Sequence, residues 1–152
     1  MKLISAILFT LLSQNSFSNE IQLGAVLGAP TGISAKFGLE NNRAIDMALA
    51  YSLADDLGLL FHADYLIENA HSFATNSGSP FELYYGIGFR AVSIRKGEHA
   101  DENAFGPRAP IGLSYRIGKP RVEFFGELAL AFDLVPRTNL DLEGGVGVRY
   151  IF

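Results

Sequence analysis

Residues 122–133 read Val-Glu-Phe-Phe-Gly-Glu-Leu-Ala-Leu-Ala-Phe-Asp. A β-strand sends successive side chains to opposite faces, so this stretch sorts into two sets. Val122, Phe124, Leu128, Leu130 and Phe132 fall on one face with Gly126 among them. Glu123, Phe125, Glu127, Ala129, Ala131 and Asp133 fall on the other. The next run repeats the pattern, with Leu142, Val146, Val148, Tyr150 and Phe152 against Glu143, Gly145, Gly147 and Arg149. So does an earlier one, with Ile45, Met47, Leu49, Tyr51 and Leu53 against Asp46, Ala48, Ala50 and Ser52. Period-two alternation over this length is the signature of strands with one polar and one apolar side.

Working outward, eight such runs are expected at about residues 20–28, 32–40, 44–53, 57–68, 81–95, 108–118, 121–135 and 142–152. Turn-forming residues separate most of them: Ala29-Pro30-Thr31, Asn41-Asn42-Arg43, Ala54-Asp55-Asp56, Lys119-Pro120 and Pro136 to Asp141. Two connections are longer, Asn69–Pro80 and Lys96–Pro107. No helical period of useful length follows the first residues. The expected fold is all-β: an eight-stranded, antiparallel, up-and-down barrel in a single domain.

Alternation does not say which face points outward. The polar face carries Gly24, Gly28, Gly32, Ser34, Gly38, Ala48, Ala50, Ser52, Gly86, Gly88, Gly112, Ser114, Gly145 and Gly147 beside its charges. A water-facing strand surface gains nothing from so many tiny residues, because glycine weakens a strand and packs nothing. The lumen of an eight-stranded barrel must be filled by its own side chains, which calls for small residues next to a few long ones. The apolar set is therefore expected outward, the arrangement of a transmembrane barrel. The aromatics agree. Phe37, Tyr65, Phe81, Tyr85, Tyr115, Phe124, Tyr150 and Phe152 gather toward the end that holds the termini, and Tyr51 and Phe132 toward the other, as interfacial girdles do.

The ends supply the route. Met1-Lys2, the apolar run Leu3–Leu12 and the polar stretch Ser13–Ser18 have the order of a secretory signal peptide, expected over 1–18, with the barrel over 19–152. The apolar run is too short to cross a bilayer as a helix. The chain has no cysteine, which argues against a disulfide scaffold and a lipidated-cysteine anchor. The leader holds one of 12 basic residues and none of 16 acidic ones, so its removal moves the formal charge from −4 to −5. An acidic chain is unsuited to nucleic acid. The closing alternation Val148, Tyr150, Phe152 resembles the signal read by the barrel-assembly machinery of the bacterial outer membrane.

Gly28-Ala29-Pro30-Thr31-Gly32, Tyr84-Tyr85-Gly86-Ile87-Gly88 and Gly144 to Tyr150 are similar to segments of a family of short barrels. The chain as a whole resembles the small outer-membrane barrels of the OmpA-transmembrane-domain, OmpX and OmpW kind. That resemblance implies the fold, an outer-membrane location and contact with outer-membrane lipid; it implies little about activity.

With the apolar set outward, Lys36, Asp46, His62, Asp64, Glu82, Arg90, Arg116, Glu123, Glu127, Asp133, Glu143 and Arg149 are expected in the lumen as an ion-pair network. Unpaired charges in so narrow a space are costly. The expected role is structural or one of surface interaction, with the lumen largely plugged. A narrow path for small solutes or ions and a lipid-modifying, deacylase-like enzyme are the alternatives. An enzyme would need Ser, His and an acid in register. His71-Ser72 are adjacent in a loop, and His62 with Asp64 lacks a serine on its strand. His99, Asp101 and Glu102 are a solvated loop that would bind a cation weakly. The glycine-rich stretches precede no helix, which removes a phosphate cradle. No catalytic, cofactor or metal residue is assigned, and no surface partner.

Overall fold

The structure, a computed structural model, describes residues 17–51, 57–69, 81–95 and 102–152. The expected leader lies outside these residues except for its last two positions, and so do His71, Ser72, His99 and Asp101.

Eight strands follow in order: β1 Phe17–Ala29, β2 Thr31–Leu39, β3 Arg43–Tyr51, β4 Leu57–Asn69, β5 Phe81–Ile94, β6 Asn103–Ile117, β7 Val122–Asp133 and β8 Asn139–Ile151. Each pairs antiparallel with the next, and β1 pairs with β8, so the sheet closes into an up-and-down barrel without a free edge. Between β2 and β3 the chain reverses through Glu40-Asn41-Asn42, with φ of 62° and 57° at the two asparagines. Asparagine tolerates this left-handed region better than most residues, which is why the pair stands there. The strand ends Leu39 and Arg43, Asn69 and Phe81, and Ile117 and Val122 lie with Phe17 and Ile151 at the end holding the termini, and the remaining strand ends at the opposite one.

The sixth strand departs from expectation. The loop expected over Lys96–Pro107 ends early, since β6 begins at Asn103 and pairs Asn103 to Arg108 with Ser93 to Gly88 of β5. Pro107, read as the end of the loop, concealed this. Proline has no N–H to give to a ladder, so it reads as a strand breaker. The strand carries Pro107 in the ladder opposite Phe89, while at Pro110 the β5–β6 ladder skips 109–110 and resumes at Gly88–Arg108 in the same register. Similarly, β8 starts at Asn139, three residues before the expected position, and β7 ends at Asp133.

The two faces of the wall differ sharply. Outward stand Leu27, Ile33, Ile87, Leu128, Leu140, Leu142 and Val146, all more than half exposed. Inward, Lys36, Arg90 and Arg149 are 1% exposed and Glu123 not at all. The interior is not uniformly charged, however. Leu60, Val92 and Ala104 pack together toward the end opposite the termini, and Ala44, Leu66, Tyr84 and Phe125 form a second apolar layer. The outward aromatics form two clusters. Phe81–Tyr115 and Tyr150–Phe152 have ring centroids 5.1 and 5.0 Å apart in the terminal half, and Phe61, Phe89 and Phe105 form a chain of contacts toward the other end.

Candidate functional site

The feature that concentrates chemistry is the lumen. Cross-strand register sets it out in rows. Following partners around the wall gives Gln22, Lys36, Asp46, Asp64, Gly88 and Arg108; the next row toward the opposite end is Gly24, Ser34, Ala48, His62, Arg90 and Gly106. The glycines make room for long neighbours. A Cβ on Gly112 would come within 2.3 Å of the Tyr84 ring, and one on Gly147 within 2.3 Å of Phe125 Cζ. Tyr84 reaches over its glycine to donate to Glu127 at 3.0 Å, and Phe125 carries the Arg149 guanidinium 3.8 Å above its ring.

The ion pairs cross the barrel as well as running along its wall. Arg149 on β8 donates to Asp46 on β3 (2.6 Å), to Ser34 on β2 (2.7 and 2.9 Å) and to Glu123 on β7 (3.2 Å). Lys36 on β2 bridges Glu68 and Glu123, each at 2.7 Å. Arg116 adds contacts to Glu123, Glu20, Glu68 and Glu82 between 3.0 and 3.6 Å. Toward the opposite end Arg90 forks onto Asp133 (2.7 and 2.9 Å) and reaches Asp141 and Glu143 on β8. Arg108 ties Asp64, Glu127 (2.6 Å) and Glu143 (2.7 Å) together. Buried guanidinium–carboxylate bonds of this kind are charge-assisted, and breaking one leaves an uncompensated charge.

All twelve side chains expected in the lumen lie on this inner side, with Glu82, Arg116 and Glu127 partly exposed. Sequence reasoning missed Arg108, Glu68, Asp141 and Glu20. Arg108 shares the parity of Gly112 and Ser114, and Glu68 that of His62 and Asp64, so the alternation already marked both. Among the described residues, five basic groups (Lys36, Arg90, Arg108, Arg116, Arg149) meet ten carboxylates (Glu20, Asp46, Asp64, Glu68, Glu82, Glu123, Glu127, Asp133, Asp141, Glu143) in the network.

Two chemical readings meet this geometry. For hydrolysis, His62 Nε2 stands 3.9 Å from Asp64 Oδ2, but Ser34 is held by Arg149 and Ser114 Oγ bonds to no group, so among the described residues neither buried serine joins the pair. For metal binding, Asp46, His62 and Asp64 each bring one ligand atom within 4.8 Å of the other two. The terminal triplet Val148, Tyr150 and Phe152 faces outward and exposed, and Phe152 N donates to Ile21 O at 2.9 Å, latching the last residue to β1.

The barrel superposes on the N-terminal β-barrel domain of Pseudomonas aeruginosa OprF with a TM-score of 0.64, at 16% identity, over 90% of this chain and 100% of that one. The chain has that fold. Neisserial surface protein A is also similar, with a TM-score of 0.50 and 18% identity over 88% of this chain and 94% of the other. No protein-family model matches the sequence, and no curated protein matches it significantly.

Proposed function

We propose that the chain is a bacterial outer-membrane β-barrel with a structural or surface-interaction role, its lumen closed by the ion network. The observation that carries the reading is the inversion of the wall: leucine, isoleucine and valine outside, arginine, lysine and glutamate inside. In water this arrangement would expose a continuous apolar belt far larger than a monomeric soluble protein tolerates, while in lipid it is the favourable one. The similarity to OprF and NspA, both outer-membrane barrels, supports the location. The outward Val148, Tyr150 and Phe152 on the closing strand suit recognition by the barrel-assembly machinery, and outer-membrane lipid is the partner of the belt.

Closure of the lumen rests on bridges such as Arg149–Asp46, Lys36–Glu123 and Arg90–Asp133, which span it between non-adjacent strands. The reading is non-enzymatic: among the described residues, no serine joins His62 and Asp64. Detergent-folded protein should migrate differently on gels before and after boiling, and membranes should release it only with detergent. Release into plain buffer would refute the location. In planar bilayers the folded chain should give no discrete openings; reproducible unitary conductance would replace the plug with a pore.

A further inference from the structure

Asp46 and Asp64 stand directly opposite one another on β3 and β4. Like charges at opposed positions destabilise an antiparallel pair. Here both residues are 2% exposed, where repulsion is poorly screened. His62 lies on the same face two residues before Asp64 and is itself buried. The neighbouring guanidiniums do not exhaust this group. Arg108 takes Asp64 Oδ2 and Arg149 takes Asp46 Oδ1, yet Asp64 Oδ1 and His62 Nδ1 bond to nothing. A buried polar atom left unmatched costs about 1–3 kcal/mol. The position opposite Asp64 on β5 is Gly88, and a Cβ there would come within 2.2 Å of that unmatched Oδ1, so the wall leaves the oxygen its space.

We propose that Asp46, His62 and Asp64 form a lumenal binding site for one divalent transition-metal ion of the zinc class. The ion places positive charge between the opposed carboxylates and engages the atoms that bond to nothing else. It also offsets part of the excess of carboxylates over basic groups in the network. An imidazole with two carboxylates is a donor set for zinc and its transition-metal neighbours, whereas calcium and magnesium favour all-oxygen sites. Three protein ligands leave a coordination position for water. Lys36 stands opposite Asp46 on β2 and Arg90 opposite His62 on β5, so the site lies within the charged rows of the lumen. The site lies in the barrel interior and does not depend on where the barrel resides.

The test uses untagged full chain refolded into detergent with Zn²⁺ or Co²⁺, followed by removal of free ion and measurement of metal per folded barrel. About one ion per barrel is expected, with Co²⁺ showing the visible absorption of a nitrogen–oxygen site. His62→Gln and Asp64→Asn should each reduce retained metal by roughly tenfold or more. A double variant His71→Gln/His99→Gln, which removes the other two histidines, should retain it. Absence of stoichiometric metal in the wild type, retention by His62→Gln, or loss in the double variant overturns the site. Should the lumen variants fail to fold, the double variant loaded with Cu²⁺ decides: pulsed electron paramagnetic resonance showing one coordinated imidazole supports the proposal, and none overturns it.

Discussion

Glu123 has no exposed surface and accepts from Lys36, Arg116 and Arg149, residues on three other strands. Its side chain therefore fixes the mutual position of strands far apart in sequence, and its removal leaves three cations without a shared partner. Each cation keeps another carboxylate (Lys36 has Glu68, Arg149 has Asp46, Arg116 has Glu20), so Glu123→Leu should lower folding stability by about 1–3 kcal/mol, the cost of buried donors left unmatched. Glu40→Leu, at an exposed turn, should change it little. Urea titration of the detergent-folded barrel measures both, and equal midpoints would show that the network contributes nothing to stability. The glycines offer a second test at this scale. On Gly147 a new methyl would meet Phe125 Cζ at 2.3 Å and the Ala25 carbonyl at 2.5 Å, while on outward Gly126 the nearest atom is 3.8 Å away. Gly147→Ala should cost about 1–3 kcal/mol through overpacking, and Gly126→Ala close to none. If Gly147→Ala is silent, the inner wall is looser than these distances require.

Within single strands the alternation was legible, because parity alone separates Arg149 from Val148 and Glu123 from Phe124. What escaped notice had specific causes. Pro107 masked the first residues of β6, and Arg108, the hub that joins Asp64, Glu127 and Glu143, stood at the very edge of the expected run, where its parity went unused. Relations between strands were equally hidden. That Asp46 faces Asp64 depends on the register across the connection 52–56, and periodicity within either strand cannot supply a register. The layering of the interior was readable in principle, since Leu60 and Leu66 share the parity of His62, but charge drew attention from them. The extension of β6 can be checked directly. Phe105 N donates to Val135 O at 3.2 Å and Leu134 N to Phe105 O at 2.9 Å, carrying the wall beyond β7. Hydrogen exchange should therefore find the Phe105 and Leu134 amides protected. Exchange as fast as at Lys119 in the exposed turn would return this segment to the loop.

For the whole molecule, the solvent decides which substitutions are harmful. Leu128 lies near the middle of β7, is 57% exposed and faces away from every ion pair in the lumen. In a water-facing protein, replacing such a residue by arginine changes stability by no more than about 0.5 kcal/mol, because the new charge stays hydrated. In a barrel whose belt lies in hydrocarbon, the same charge near the midplane costs about 2–4 kcal/mol and falls toward zero near the interfaces. Leu128→Arg should accordingly destabilise the vesicle-folded barrel strongly. Leu140→Arg, near the start of β8 at the end opposite the termini and 66% exposed, should cost much less. The contrast separates a membrane belt from a merely apolar surface, since Leu140 is the more exposed of the two and burial alone would rank them equally harmless. Unfolding in lipid vesicles is the measurement. A flat response at both positions would remove hydrocarbon from around the belt and leave the inverted wall without a physical cause.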